Sequence, residues 1–152
     1  MKKMMKVFSL LGLAALGVAC GDGVLFDEDF KSSFVKVSTT CEQSPTHGND
    51  HMQVWVSSQE VADLIAAYAD GSNTAPDYPV DSILIKEQYA GDDTCSTVTG
   101  WTVSKKITAG RNDDGSHWAY QRVEADRSFT DWAGCLDCHR GYKAGDFVAY
   151  SP

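Results

Sequence analysis

The sequence predicts an α+β domain: a mainly antiparallel β-sheet, one main helix and a short C-terminal helix. Three observations carry this expectation. Short runs rich in β-branched and aromatic residues recur along the chain. One segment alone repeats its apolar residues at helical spacing. A compact C-x-x-C-H motif, Cys135-Leu136-Asp137-Cys138-His139, lies 13 residues from the end.

Residues 1–19 stand apart from the domain. Lys2, Lys3 and Lys6 form a basic region, residues 7–18 a short apolar one, and Ala19 precedes Cys20. This is the pattern of a signal peptide, with an apolar stretch too short to span a bilayer as a lasting helix. Leu16-Gly17-Val18-Ala19-Cys20 resembles a lipoprotein cleavage box, with Gly17 where Leu is usual. Cys20 is therefore the candidate for lipidation; ordinary cleavage nearby, leaving a free thiol, is the alternative. The expected location is periplasmic, with a lipid anchor as the sole membrane attachment. Residues 20–33 read as a polar tether, and residues 34–152 as the folded domain.

Within that domain, 34–40 (FVKVSTT) and 52–57 (MQVWVS) read as strands. Ser57 or Ser58 then caps a helix in which Val61, Leu64, Ile65 and Tyr68 share one face, and Gly71 stops it. A loop with Pro76 and Pro79 leads to 81–90 (DSILIKEQYA), a strand with apolar residues on both faces. Two more strands, 100–107 and 116–125, flank the turn-rich segment TAGRNDDG.

Charge narrows the range of partners. Removing three lysines from the 13 basic residues leaves ten against 21 acidic side chains, a net charge of −11. Repulsion then opposes approach to nucleic acid or anionic lipid, while a basic redox partner protein would be attracted. Solubility is the plainer meaning of such acidity.

Five cysteines are present. With Cys20 acylated and Cys135 and Cys138 consumed by the motif's chemistry, Cys41 and Cys95 remain as a pair. In an oxidising compartment a disulfide is the natural assignment, and two separate buried thiols are the alternative.

The C-x-x-C-H spacing suits covalent heme attachment. One helical turn sets two thiols on one face, able to form thioethers with the two vinyl groups, and the adjoining His139 can reach the iron. The expected cofactor is thus heme c. A zinc-binding module is one alternative, but it needs further ligands, and His47, His51 and His117 have no paired spacing relative to 135–139. A redox dithiol is another, although its motif normally opens a helix in a βαβ unit. An electron-transfer cytochrome adds a Met or a second His on the far side of the iron. Residues 140–152 contain neither, so a five-coordinate iron is expected; Met52 or His51 would have to fold back to fill the sixth position. His47 and His51 otherwise read as turn residues, and His117 as strand surface.

The order of these features resembles the cytochrome P-460 family, which includes the cytochromes c′-beta. The resemblance runs through HGNDHMQVWV and its helix, DYPVDSILIKEQY, GWTVSKK, SHWAYQRV, CLDCH and GDFVAY, covering most of residues 47–150. It implies an exported, β-rich monoheme protein that binds or processes a small nitrogen oxide such as NO or hydroxylamine. It also implies a homodimer. Lys86 in ILIKE matches the family's lysine that is bonded to the porphyrin edge; the alternative is a surface lysine with its stem on apolar neighbours. Met52 and Trp101 fall near the family's distal positions, and neither can shuttle a proton. This departs from the hydroxylamine-oxidising members and favours ligand binding, so enzymatic activity is left open. Arg122 shares a strand face with Trp118 and Tyr120 and is a candidate partner for a heme propionate; a solvated strand-end arginine is the alternative.

Overall fold

The computed structural model describes residues 23–44, 47–48, 50–69, 75–91 and 94–148. The expected signal peptide, the lipidation candidate Cys20 and the helix-stopping Gly71 lie outside these residues. The architecture is mixed α+β, with a mainly antiparallel sheet and two helices. The strands are β1 (Val35–Lys36), β2 (Glu42–Gln43), β3 (His51–Val56), β4 (Ile83–Tyr89), β5 (Val98–Lys106), β6 (Trp118–Glu124) and β7 (Phe129–Asp131). Among the described residues they form one sheet of order β1-β3-β4-β5-β6-β7, with β2 also paired to β3, and every pairing is antiparallel.

Helix α1 (Gln59–Ala69) begins where expected, since Ser58 Oγ accepts the Val61 N–H at 3.3 Å. That bond satisfies one of the free donors of the first turn. Val61, Ala62 and Ile65 are buried, so the helix covers one face of the sheet. Helix α2 (Ala133–His139) carries the C-x-x-C-H motif and continues into a 3-10 turn over Arg140–Gly145. No helix among the described residues is long and apolar enough to cross a membrane.

Alternation along the strands gives the sheet two different faces. The first carries Val56, Leu84, Trp118 and Tyr120, packed with α1, Tyr78, Phe147 and Val148. The second carries Ile85, Val103 and Val123, covered by Phe26 and Phe30. The segment expected as a tether therefore belongs to the fold from Val24 onward. Its polar composition concealed two phenylalanines that are 5% and 3% exposed. Lys31 extends the same cover, its Nζ 2.7 Å from the carboxylate of buried Glu87. Glu87 also accepts from Tyr89 Oη, Trp55 Nε1 and Trp101 Nε1.

Cys41 and Cys95 form a disulfide with a Cα–Cα distance of 5.8 Å. It joins the chain just before β2 to the loop between β4 and β5.

Candidate functional site

The site forms where α2 meets the first face of the sheet. Cys135, Cys138 and His139 lie on the same short helix; Cys135 is partly buried, Cys138 exposed and His139 buried. Both thiols are free. Burial raises the pKa of Cys135, as does neighbouring Cys138, against the opposing charges of Lys86 and Arg122.

The protonation of His139 is fixed by its surroundings. Its Nδ1 lies 2.6 Å from the Phe147 carbonyl oxygen, which can only accept, so Nδ1 carries the hydrogen. Nε2 then keeps its lone pair, the form in which a histidine binds a metal. Burial lowers the His139 pKa and favours this neutral state. The Tyr120 ring meets the imidazole edge-on at 5.1 Å.

Beside His139 is a small cavity of about 20 Å³ whose walls include Val54, Leu84, Lys86, Tyr120 and Cys135. A second, more open cleft of about 170 Å³ shares His47, Thr102, Cys135 and His139 with it and adds Trp132 and Cys138. Two hydroxyls at the first cavity, Thr102 Oγ1 and Tyr120 Oη, are buried with no hydrogen-bond partner among the described residues. Buried polar groups are nearly always satisfied, so these two mark a place that suits a polar ligand. Burial also raises the Tyr120 pKa, with the charges of Cys135 and Asp146 adding to it, so the phenol remains a donor.

Lys86 lines the cavity, as the two-residue strand period anticipates: it pairs with Val54 on β3 and Thr102 on β5. Its Nζ lies 3.2 Å from His47 Nε2. Burial drives the Lys86 pKa down to about 8, against the raising effect of the two thiols. His47 is lowered to about 4 by burial, and by the charges of Lys86 and His139. Read from sequence as a turn residue, His47 does lie in a turn, its N–H donating to the Ser44 carbonyl, and it is also part of the cavity wall. The nearby turn gave no local sign of this, because Lys86 is 39 positions away.

The remaining candidates separate. Trp101 lies on the second face, against Phe26 and beneath Arg127, and so does not reach the cavity. The cause is parity: Thr102, the next residue, pairs with Lys86, so Trp101 must point the other way. Met52 shares the cavity's sheet face, one pair beyond Val54 and opposite Gln88, and is not part of the cavity wall. His51 pairs with Tyr89 on the second face, which removes it as a sixth-ligand candidate by the same parity. Arg122 is exposed, paired with Glu124 at 2.8 Å and stacked 5.6 Å from the Trp132 ring. Its charge reaches Cys135 without its side chain lining the cavity. His117, expected at the strand surface, is fully buried next to Asp146.

The chemistry of the residues present fits a covalently held heme: two free thiols one turn apart, a histidine with its Nε2 lone pair available, and an open cleft lined by all three. Among the described residues no three His, Cys, Asp or Glu side chains gather as a metal-ligand set. A heme asks the protein for fewer ligands than a structural zinc does, because the porphyrin supplies four nitrogens. Compared with known proteins, the chain matches no family model and no curated protein.

Proposed function

We propose that the chain is an exported c-type monoheme protein of the cytochrome P-460 type, with five-coordinate iron that binds or processes a small nitrogen oxide. The observation that carries this reading is the Nδ1–H bond from His139 to the Phe147 carbonyl, beside two free thiols on the same helix. It leaves the Nε2 lone pair free, so His139 would hold the iron. Cys135 and Cys138 would hold the group through thioethers, each S–H adding across a vinyl group with no oxidant needed. When bound, the heme supplies an iron able to take NO or hydroxylamine and to exchange an electron.

The chain's own residues would do the rest. Val54, Leu84 and Val148 keep the cavity apolar and limit access of water. Lys86, with a pKa near 8, can give or take a proton close to neutral pH, and His47 lies within its reach. A basic redox partner protein, a homodimer and the Cys20 lipid anchor belong to the same proposal.

Production with heme-attachment machinery, followed by heme staining under denaturing conditions, intact mass and an absorption spectrum, tests it. The expected result is one covalent heme and a high-spin ferric spectrum with ready NO or CO binding after reduction. Unstained protein overturns the heme reading. Heme found on the Lys86 peptide as well as the 135–139 peptide would mark the cross-linked, enzymatic version.

One observation favours a second reading, a six-coordinate electron carrier. His47 lines the cavity and is the sixth-ligand candidate in place of Met52 and His51. A low-spin spectrum that becomes high-spin in His47→Ala would establish it.

A further inference from the structure

Three fully buried ionisable side chains lie behind the site. Lys106 Nζ is 2.6 Å from Asp146 Oδ2, and His117 Nε2 is 2.6 Å from Asp146 Oδ1, with all three side chains 0% exposed. The Asn112 N–H donates to His117 Nδ1 at 3.2 Å, so Nε2 carries the hydrogen and donates to the carboxylate. Arg111 adds a longer contact, its Nε 3.6 Å from Oδ1. Burying such a group away from its partners is costly, so the cluster needs a reason to persist.

That reason is the residue next to Asp146. Asp146 and Phe147 both have left-handed backbones, with φ of 53° and 66°, a conformation two consecutive non-glycine residues rarely adopt. The carboxylate is gripped from two directions, and the Phe147 ring is held edge-on against His117 at 5.2 Å. The Asp146 and Phe147 N–H groups donate to the carbonyls of Lys143 and Tyr142. With backbone and side chains fixed in this way, the Phe147 carbonyl is held at His139 Nδ1.

We propose that Lys106, Asp146 and His117 form a positioning cluster that holds the Phe147 carbonyl on His139 Nδ1–H and thereby sets the strength of His139 as an axial ligand. This rests on the heme reading above and deepens it. A well-aligned acceptor on Nδ1–H makes the imidazole more basic at Nε2. Weakening the cluster therefore weakens the axial bond without touching the iron's ligand itself.

The test is made on the holoprotein, with the ferrous iron–histidine stretch by resonance Raman and the midpoint potential as readouts. Asp146→Asn is expected to lower the stretching frequency and raise the potential. If Asp146→Asn does not fold, the double variant Lys106→Met/Asp146→Asn removes both buried charges at similar volume and is expected to shift both readouts the same way. Phe30→Ala, a core deletion on the opposite face, is expected to lower stability and move neither. An unchanged stretch and potential in the cluster variants, or an equal shift in Phe30→Ala, overturns the positioning role and leaves the heme reading intact. A wild-type chain without covalent heme overturns both.

Discussion

Lys86 and His47 stand 3.2 Å apart in a cavity that withdraws both from water, and burial penalises the charged form of each. In the heme-free chain, unfolding therefore takes up protons between about pH 4 and 6.5 through His47, and between about 8 and 10.5 through Lys86. Where the unfolded state binds more protons, stability rises with pH, so it rises through both windows. At neutral pH Lys86 is charged in both states and its burial costs about 3 kcal/mol. Lys86→Met is thus expected to stabilise the heme-free chain by up to that amount at pH 7 and to flatten the upper rise, read as urea midpoints from pH 4 to 10.5. At this scale the C-x-x-C-H motif was legible because its chemistry depends on neighbours in sequence. Lys86 was legible because strand alternation put it with Leu84. The His117–Asp146 contact was not, since 29 residues separate the partners and nothing local marks either as buried. Trp101 was placed near the distal position by resemblance alone, and its parity with Lys86 depends on the β4–β5 pairing of Lys86 with Thr102, which the sequence does not show.

The elements explain how α2 comes to rest on the sheet. Gly115, with φ of 76°, turns the chain into β6, and a Cβ there would collide with Leu136 of α2 and the Phe147 ring. Gly115→Ala is expected to cost about 1–3 kcal/mol through backbone strain alone and to loosen α2, seen as a lower melting temperature and faster alkylation of Cys135. The Cys41–Cys95 link spans a separation of 54 residues, enclosing β2, β3, α1 and β4. Replacing both cysteines by serine should remove about 4 kcal/mol by freeing the unfolded chain, measured by urea denaturation. Counting cysteines found this pair. The longer strands and α1 were legible from periodicity, but β2 and β7 were not. With two and three residues each, and no buried position, they carry no hydrophobic pattern to read.

For the whole molecule, the decisive feature is a sheet with a core on each face. Residues 23–33 supply the cover of the second face, and composition concealed this because two phenylalanines around three acids and a lysine resemble a linker. Phe30→Ala should cost about 3–5 kcal/mol, and a chain starting at residue 34 should bind a hydrophobic dye at neutral pH. A fully wild-type melting curve for either variant would show that the second face is covered by something else.

The two cores also divide the molecule in time. The second core draws on nothing beyond Val123, whereas the first needs Cys135, Leu136, Phe147 and Val148 from the last part of the chain. Opening of the final segment would therefore disrupt the first core and leave the second core and the disulfide formed. Amide hydrogen exchange in 133–148 should accordingly outpace that in β4 and β5. Under the proposed heme reading, such local opening would expose both thiols to covalent attachment on an otherwise finished fold, so that attachment would not be a condition for folding the sheet.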